Sequence, residues 1–218
     1  MAFTERWPEI VSPNPGGAHD PLGESVLDPE QPWLRVFEPS DVRIVIGRHQ
    51  DPEREVVVAA AQADGVPIHR RVCGGGTVVL APGMVVVAIR QPPARELDAN
   101  CIFARINGAL VPAVAQVTGI EPACRGHGDL AMPADGSERK ILGASLRQTS
   151  RATTYLGVFL VADAVGLMER YLPMPSRQPD YRGDRGHAAF CTHLAAHGAS
   201  VPALIAALEH YCHERLKP

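Results

Sequence analysis

The segment Arg70-Arg71-Val72-Cys73-Gly74-Gly75-Gly76-Thr77 sets two cations directly ahead of three successive glycines. Glycine carries no Cβ, so a ligand can approach its backbone closely, and amides in a tight loop can converge on a phosphate or carboxylate. Side chains alternate along a strand, so only one of Arg70 and Arg71 can aim at that anion; the other is expected to face solvent or an acid. Taken alone, the residues fit a flexible hairpin turn with two surface arginines as well as they fit an anion cradle. They match neither the GxxxxGK[ST] phosphate loop nor the GxGxxG dinucleotide pattern, so kinase and Rossmann readings lose their main support.

Lys140 follows the polar loop Asp135-Gly136-Ser137-Glu138 and opens an apolar strand that reaches Gly143-Ala144-Ser145. A compact ammonium there can hold a carboxylate and stabilise charge that builds on an acyl phosphate under attack. A surface lysine at a strand start is the plainer alternative. Gly143 and Ala144 are small enough for an acyl chain or adenylate to lie against the strand, or for tight sheet packing. Asp129 could orient an amine, a ribose or Lys140, or be an ordinary strand-end carboxylate. Cys124 is a candidate nucleophile if a nearby lysine lowers its pKa. Cys73 reads as a small wall residue. The nine histidines form neither HExxH nor HxxEH, so no metal site is expected. Residues 180–187 read as a polar loop, whose Arg182, Arg185 and His187 could meet the acidic face of a partner.

Three segments, residues 45–56, residues 70–78 and Asp129-Leu130 followed by residues 139–145, resemble in order and spacing the lipoate–protein ligase A group of the biotin and lipoate ligase superfamily. The likeness covers residues 34 to about 160. It implies an α/β (α+β) catalytic domain with a mixed, largely antiparallel sheet flanked by helices. It also implies ATP with Mg²⁺, a lipoate or octanoate substrate, an acyl-adenylate (lipoyl-AMP) intermediate, and transfer to a lysine of an acceptor lipoyl protein. Lys140 then takes the adenylate-binding, catalytic position. Arg70, Cys73, Gly74, Gly75, Gly76, Thr77, Asp129, Gly143 and Ala144 become substrate- and adenylate-binding residues. Leu80-Ala81-Pro82-Gly83-Met84 departs from the His-Asp and Gly-Asn of the group, which bears on nucleotide and magnesium binding, and Leu156 replaces a histidine ahead of Gly157. The chain is too short for the accessory C-terminal domain of the longer ligases, so either a separate subunit supplies it or none is used. One alternative is an octanoyl- or lipoyltransferase that draws on acyl carrier protein through a Cys124 thioester. Another is a catalytically silent lipoyl-binding protein.

Elements must position these residues. Residues 1–31, dense in proline and glycine, read as a loosely structured arm, and residues 32–218 as one domain. Leu34–Phe37 and residues 42–46 look like a hairpin, residues 52–63 like one helix, and residues 77–80 and 85–89 like paired buried strands. A loop is expected at 133–138. Residues 100–118 and 200–216 carry helical periodicity, the latter with Glu209, His210, His213 and Glu214 toward solvent. A formal net charge of -3 gives no general attraction to nucleic acid or an anionic membrane. No apolar run is expected to reach the roughly 20 residues of a membrane span, and no secretory signal is apparent, which predicts a cytoplasmic protein. Five cysteines without CxxC spacing predict reduced thiols.

Overall fold

The computed structural model describes residues 10, 11, 20–94 and 96–218. Short β-branched runs build two sheets. The smaller has the order β1 (Ile10–Val11), β4 (Ile68–Arg70), β3 (Arg43–Ile46), β5 (Val78–Leu80), with β3 parallel to β4 and antiparallel to β5. The larger is antiparallel throughout, in the order β2 (Leu34–Phe37), β6 (Met84–Gln91), β10 (Thr153–Leu160), β9 (Ser137–Gln148), β8 (Asp129–Ala134), β7 (Ala123–Arg125).

Both expected local pairings give way to long-range ones. Leu34–Phe37 pairs with β6 rather than with β3, and β5 and β6 lie in different sheets. Strand β6 is buried at every position except Arg90, so it needs a neighbour on each edge, which a two-stranded hairpin cannot give. Gly83, at φ +85°, makes the corner at which the chain changes sheet. The expected loop at 133–138 is instead a hairpin whose two-residue turn, Asp135-Gly136, has positive φ at both positions.

The helices are α1 (Pro52–Glu55), α2 (Val58–Ala63), α3 (Ala99–Thr118), α4 (Val165–Tyr171), α5 (His187–Phe190) and α6 (Val201–Leu216). The single helix expected over 52–63 breaks because Val56 is extended and buried, and the Val57 N–H donates to Tyr171 O at 2.8 Å. Asp98 caps α3 by accepting from Cys101 N at 2.8 Å, left-handed Gly119 ends it, and the helix runs on through Pro112. Contrary to expectation, this 20-residue helix is apolar enough, with a mean hydropathy of 1.3 over its most apolar stretch, to span a bilayer by length and composition. Its face of Ile102, Ile106, Leu110, Ala113 and Val114 is buried in the core.

Helices α3 and α6 pack together on one face of the large sheet, against Val85, Val87, Ile89, Leu142 and Tyr155. Alternate residues Val86, Ala88, Leu156 and Val158 enter a second core with Leu22, Val26, Cys73 and Phe190. Fully burying each such aliphatic side chain contributes roughly 1.5–3 kcal/mol, so the large sheet is fixed from both sides. Much of the expected loose arm, residues 1–9 and 12–19, lies outside the described residues. From Asp20 onward the chain is tied down instead: Leu22 and Val26 are buried, and the Asp20 carboxylate accepts from Ser25 N and from Arg35.

Candidate active site

The glycine loop joins β4 to β5 and is built from beneath by Arg71. This side chain is only 4% exposed; Nε and Nη2 donate to Gly74 O at 3.0 and 2.7 Å, Nη2 to Gly76 O at 2.6 Å, and Nη1 to Val45 O at 3.3 Å. In a trans peptide the N–H points opposite the preceding C=O. Because the carbonyls of Gly74 and Gly76 turn inward to Arg71, the N–H groups of Gly75 and Thr77 turn away from it. This arrangement, with Arg71 beneath the loop, leaves those two N–H groups free of Arg71.

The expectation that the second arginine meets solvent or an acid is therefore corrected in part. Arg71 is out of solvent, with Glu24 as its nearby acid, and burial pulls its pKa down to about 10. Glu24 comes from the N-terminal segment and accepts from Val72 N at 2.7 Å; burial pushes its carboxyl up to about 7 against that hydrogen bond. Arg70 donates to Gly47 O, Arg48 O and Gln50 O at 2.9, 2.7 and 2.9 Å and holds the β3–α1 turn. Thr77 Oγ1 donates to Gln50 Oε1 at 3.0 Å, and Gly47 N donates to the same oxygen at 2.7 Å. Cys73 is fully buried and its thiol is pushed up to about 12 by burial, as suits a wall residue.

The loop is seated on β9. A Cβ on Gly75, which has φ +94°, would lie 3.2 Å from Ser145 Cβ, and one on Gly47 would lie 2.2 Å from Gly75 O. Two residues from Ser145, a Cβ on Gly143 would meet Lys140 Cε and Nζ at 2.8 Å. Lys140 thus lies over Gly143 on the face that carries the glycine loop. Three residues apart in a regular strand, they would point to opposite faces. Pairing shifts from Leu130↔Leu142 to Ala131↔Lys140, so one extra residue bulges out of β9 and brings them to one side.

Lys140 Nζ pairs with Asp129 Oδ1 at 2.8 Å, and Asp129 is 6% exposed. The other carboxylate oxygen, Oδ2, accepts from Tyr181 Oη at 2.9 Å. Sequence reasoning missed Tyr181, Gln50 and Glu24. Gln50 lies within the matched segment 45–56, whereas nothing in the spacing of Tyr181 and Glu24 marks them, since each reaches the site from a distant segment. Arg182 and Arg185, read as side chains of a polar surface loop that could meet a partner, face inward instead: Arg182 is buried, its guanidinium 4.7 Å from the Phe190 ring centroid, and Arg185 donates to Tyr181 O and Glu138 O.

Ala144 lies on the opposite face, half-buried against the helix-side core, so Gly143 alone of that pair borders Lys140. Cys124 is apart as well. It sits on β7 directly across from Leu130, whose side chain enters the helix-side core, and it lines a groove of about 930 Å³ with Val111, Pro112 and Tyr211. Directly opposed residues share a face, so Cys124 is on the far side of the sheet from Lys140. Burial raises its thiol pKa and Arg125, not a lysine, is the charge that opposes this, which removes the basis for an activated nucleophile.

A lysine paired to a buried acid thus stands beside the glycine loop, between the two sheets. The chain belongs to the lipoyl protein ligase A/B catalytic domain family, which matches residues 20–213. It is similar to the lipoate-protein ligase A of Bdellovibrio bacteriovorus, 26% identical over 155 residues, a region that is 69% of this chain and 43% of that relative. The fold is that of the bipartite lipoate protein ligase of Thermoplasma acidophilum (TM-score 0.71, 21% identity, 84% of this chain and 70% of that one). It also matches a lipoate-protein ligase A bound with ATP (TM-score 0.68, 22% identity, 84% and 72%).

Proposed function

We propose that the protein is a lipoate–protein ligase that activates lipoate or octanoate with ATP and passes the acyl group to a lysine of an acceptor lipoyl protein. The observation that carries this is the seating of the glycine loop on Ser145, next to the Gly143 over which Lys140 lies paired to Asp129. It sets an ammonium and a row of amides around one small-residue surface. The family and the ATP-bound relative of the same fold support the choice of reaction.

In the first step an oxygen of the acid's carboxylate attacks the α-phosphorus of ATP and pyrophosphate leaves. In the second, the acceptor's neutral amine attacks the acyl carbonyl, AMP leaves with the electron pair of the broken C–O bond, and the amine's proton passes to the departing phosphate or to water. Lys140 has three N–H donors, and Asp129 takes one. The others can hold the carboxylate and then the oxyanion that forms on the acyl carbon. The N–H groups of Gly75 and Thr77 hold the phosphate oxygens. Arg70 and Arg71 act by fixing the two loops, with their positive charge close behind.

Among the described residues no three His, Cys, Asp or Glu side chains gather as a metal site. The one acid beside Lys140 identified above is already shared between Lys140 and Tyr181, so these residues do not build a magnesium site of their own. Mg²⁺ would arrive on the triphosphate, which with water supplies its preferred ligands.

The Thermoplasma relative is a bipartite ligase named together with its E2 lipoyl domain. A second subunit and a lipoyl-domain acceptor are accordingly part of the proposal. The test is pyrophosphate release that depends on both ATP and lipoate, followed by a mass shift of one lipoyl group on an added lipoyl domain. Binding of lipoate without release, with or without an accessory subunit, would leave a silent lipoyl-binding protein. Acyl transfer from acyl carrier protein without ATP would establish a transferase.

A further inference from the structure

We propose that the segment from Tyr181 to Thr192 is the positioning element for Lys140, and that the Tyr181 hydroxyl is its decisive contact, acting through Asp129. The inference rests on the ligase reading only for what Lys140 does, not for how it is held.

Four contacts tie this distant stretch of chain to one lysine. Thr192 N donates to Lys140 O at 3.0 Å, and Cys191 forms an isolated parallel bridge with Lys140. Arg185 Nη1 donates to Glu138 O at 3.0 Å, which fixes the strand two residues earlier. Tyr181 Oη donates to Asp129 Oδ2, whose companion oxygen holds the ammonium. The first three set the backbone; only the fourth bears on where the side chain points.

The geometry around Tyr181 is itself constrained. Its ring lies 5.0 Å from that of Phe190, which Arg182 and Arg185 flank at 4.7 and 5.3 Å. On the other side is the β7–β8 turn, where a Cβ on Gly126 would come 3.2 Å from Pro179 Cβ and 3.6 Å from Tyr181 Cε1. Burial and the Asp129 charge hold the phenol well above its usual range, so it remains a donor at any working pH. A carboxylate with both oxygens engaged cannot rotate without breaking a charge-assisted hydrogen bond. Without the hydroxyl, a buried oxygen is left unpaired, and the carboxylate is driven to turn toward water and release Lys140.

The sequence makes a direct readout available, because Lys140 and Lys217 are its only lysines. Acetic anhydride labelling of the full chain, read by mass spectrometry as Lys140 relative to exposed Lys217, reports on the ammonium without any turnover. We expect Tyr181→Phe to raise relative Lys140 labelling roughly threefold and to lower kcat about tenfold with KM for ATP unchanged, the loss of one hydrogen bond to a charged group. Asp129→Asn sets the upper limit of labelling, and Arg185→Gln gives a smaller change in the same direction. Lys140 labelling in Tyr181→Phe that is unchanged or reduced overturns the proposal, whatever happens to the rate. Raised labelling in a chain whose parent shows no ligase turnover sustains the positioning role and sinks the ligase reading instead.

Discussion

The cations on the two sides of the site are put to different uses. Arg71 sets its guanidinium on the carbonyls of Val45, Gly74 and Gly76, and Arg70 sets its own on Gly47, Arg48 and Gln50, while Lys140 makes a single ion pair with Asp129. A planar fork of five donors suits a fixed array of carbonyls. An ammonium with three rotatable donors can keep one bond and still follow a ligand from carboxylate to tetrahedral adduct. Arginine therefore builds this site, and lysine is left to act in it under the proposed reaction.

That division can be broken experimentally. Lys140→Ala should lower lipoate-dependent pyrophosphate release by about 10²–10³-fold, the loss typical of a group that stabilises developing charge. Arg71→Met should instead register first as instability, about 3 kcal/mol in urea denaturation, because it strips the partner from the carbonyl of buried Val45 and from those of Gly74 and Gly76 that shape the loop. If Lys140→Ala unfolds the chain while Arg71→Met is merely slow, the roles are reversed. Glu24→Gln keeps an acceptor for Val72 N and removes a carboxyl whose folded pKa, about 7, lies above its unfolded value. The stability such a raised pKa confers is full below the unfolded value and is lost as pH rises through the folded one. The parent should therefore lose on the order of 2 kcal/mol relative to Glu24→Gln between about pH 4.5 and 7, followed by thermal melts across that range. Gly75→Ala, forced to φ +94° with a Cβ 2.9 Å from Arg71 Nη2, should cost about 1–2 kcal/mol and raise the KM for lipoate. Cys124→Ala should change the rate less than about twofold, within the range of surface substitutions away from special features.

The two long helices were readable because their signals are local. Periodic apolar residues with an Asp98 cap or a Pro202 in the first turn mark α3 and α6, and Glu209, His210, His213 and Glu214 do face solvent. Strand partners were not readable. The four-residue spacing between Leu34–Phe37 and the next apolar run imitates a hairpin, and only the burial of β6 on both faces shows that it needs β2 and β10 as neighbours. Within the site, the glycine loop and Lys140 stand out by residue type. Which arginine lies beneath the loop depends on the pairing of β3 with β4, and Tyr181 sits in a stretch whose charges look like surface until Phe190 is seen between Arg182 and Arg185.

The bulge in β9 gives the span from Lys140 to Gly143 a parity. Side chains on a strand are counted odd and even, and a bulged residue drops out of that count, so the span of three acts as a span of two. Substitution at Ile141 or Leu142 leaves that count intact, and so would loss of the bulged residue, because a regular two-residue spacing also keeps Lys140 on the face of the glycine loop; only drawing all three residues into regular pairing would carry Lys140 to the helix side of the sheet. For this stretch, register is more tightly constrained than identity, and a relative one residue shorter between its lysine and its glycine would bring its amine to the same face with a regular strand and no bulge.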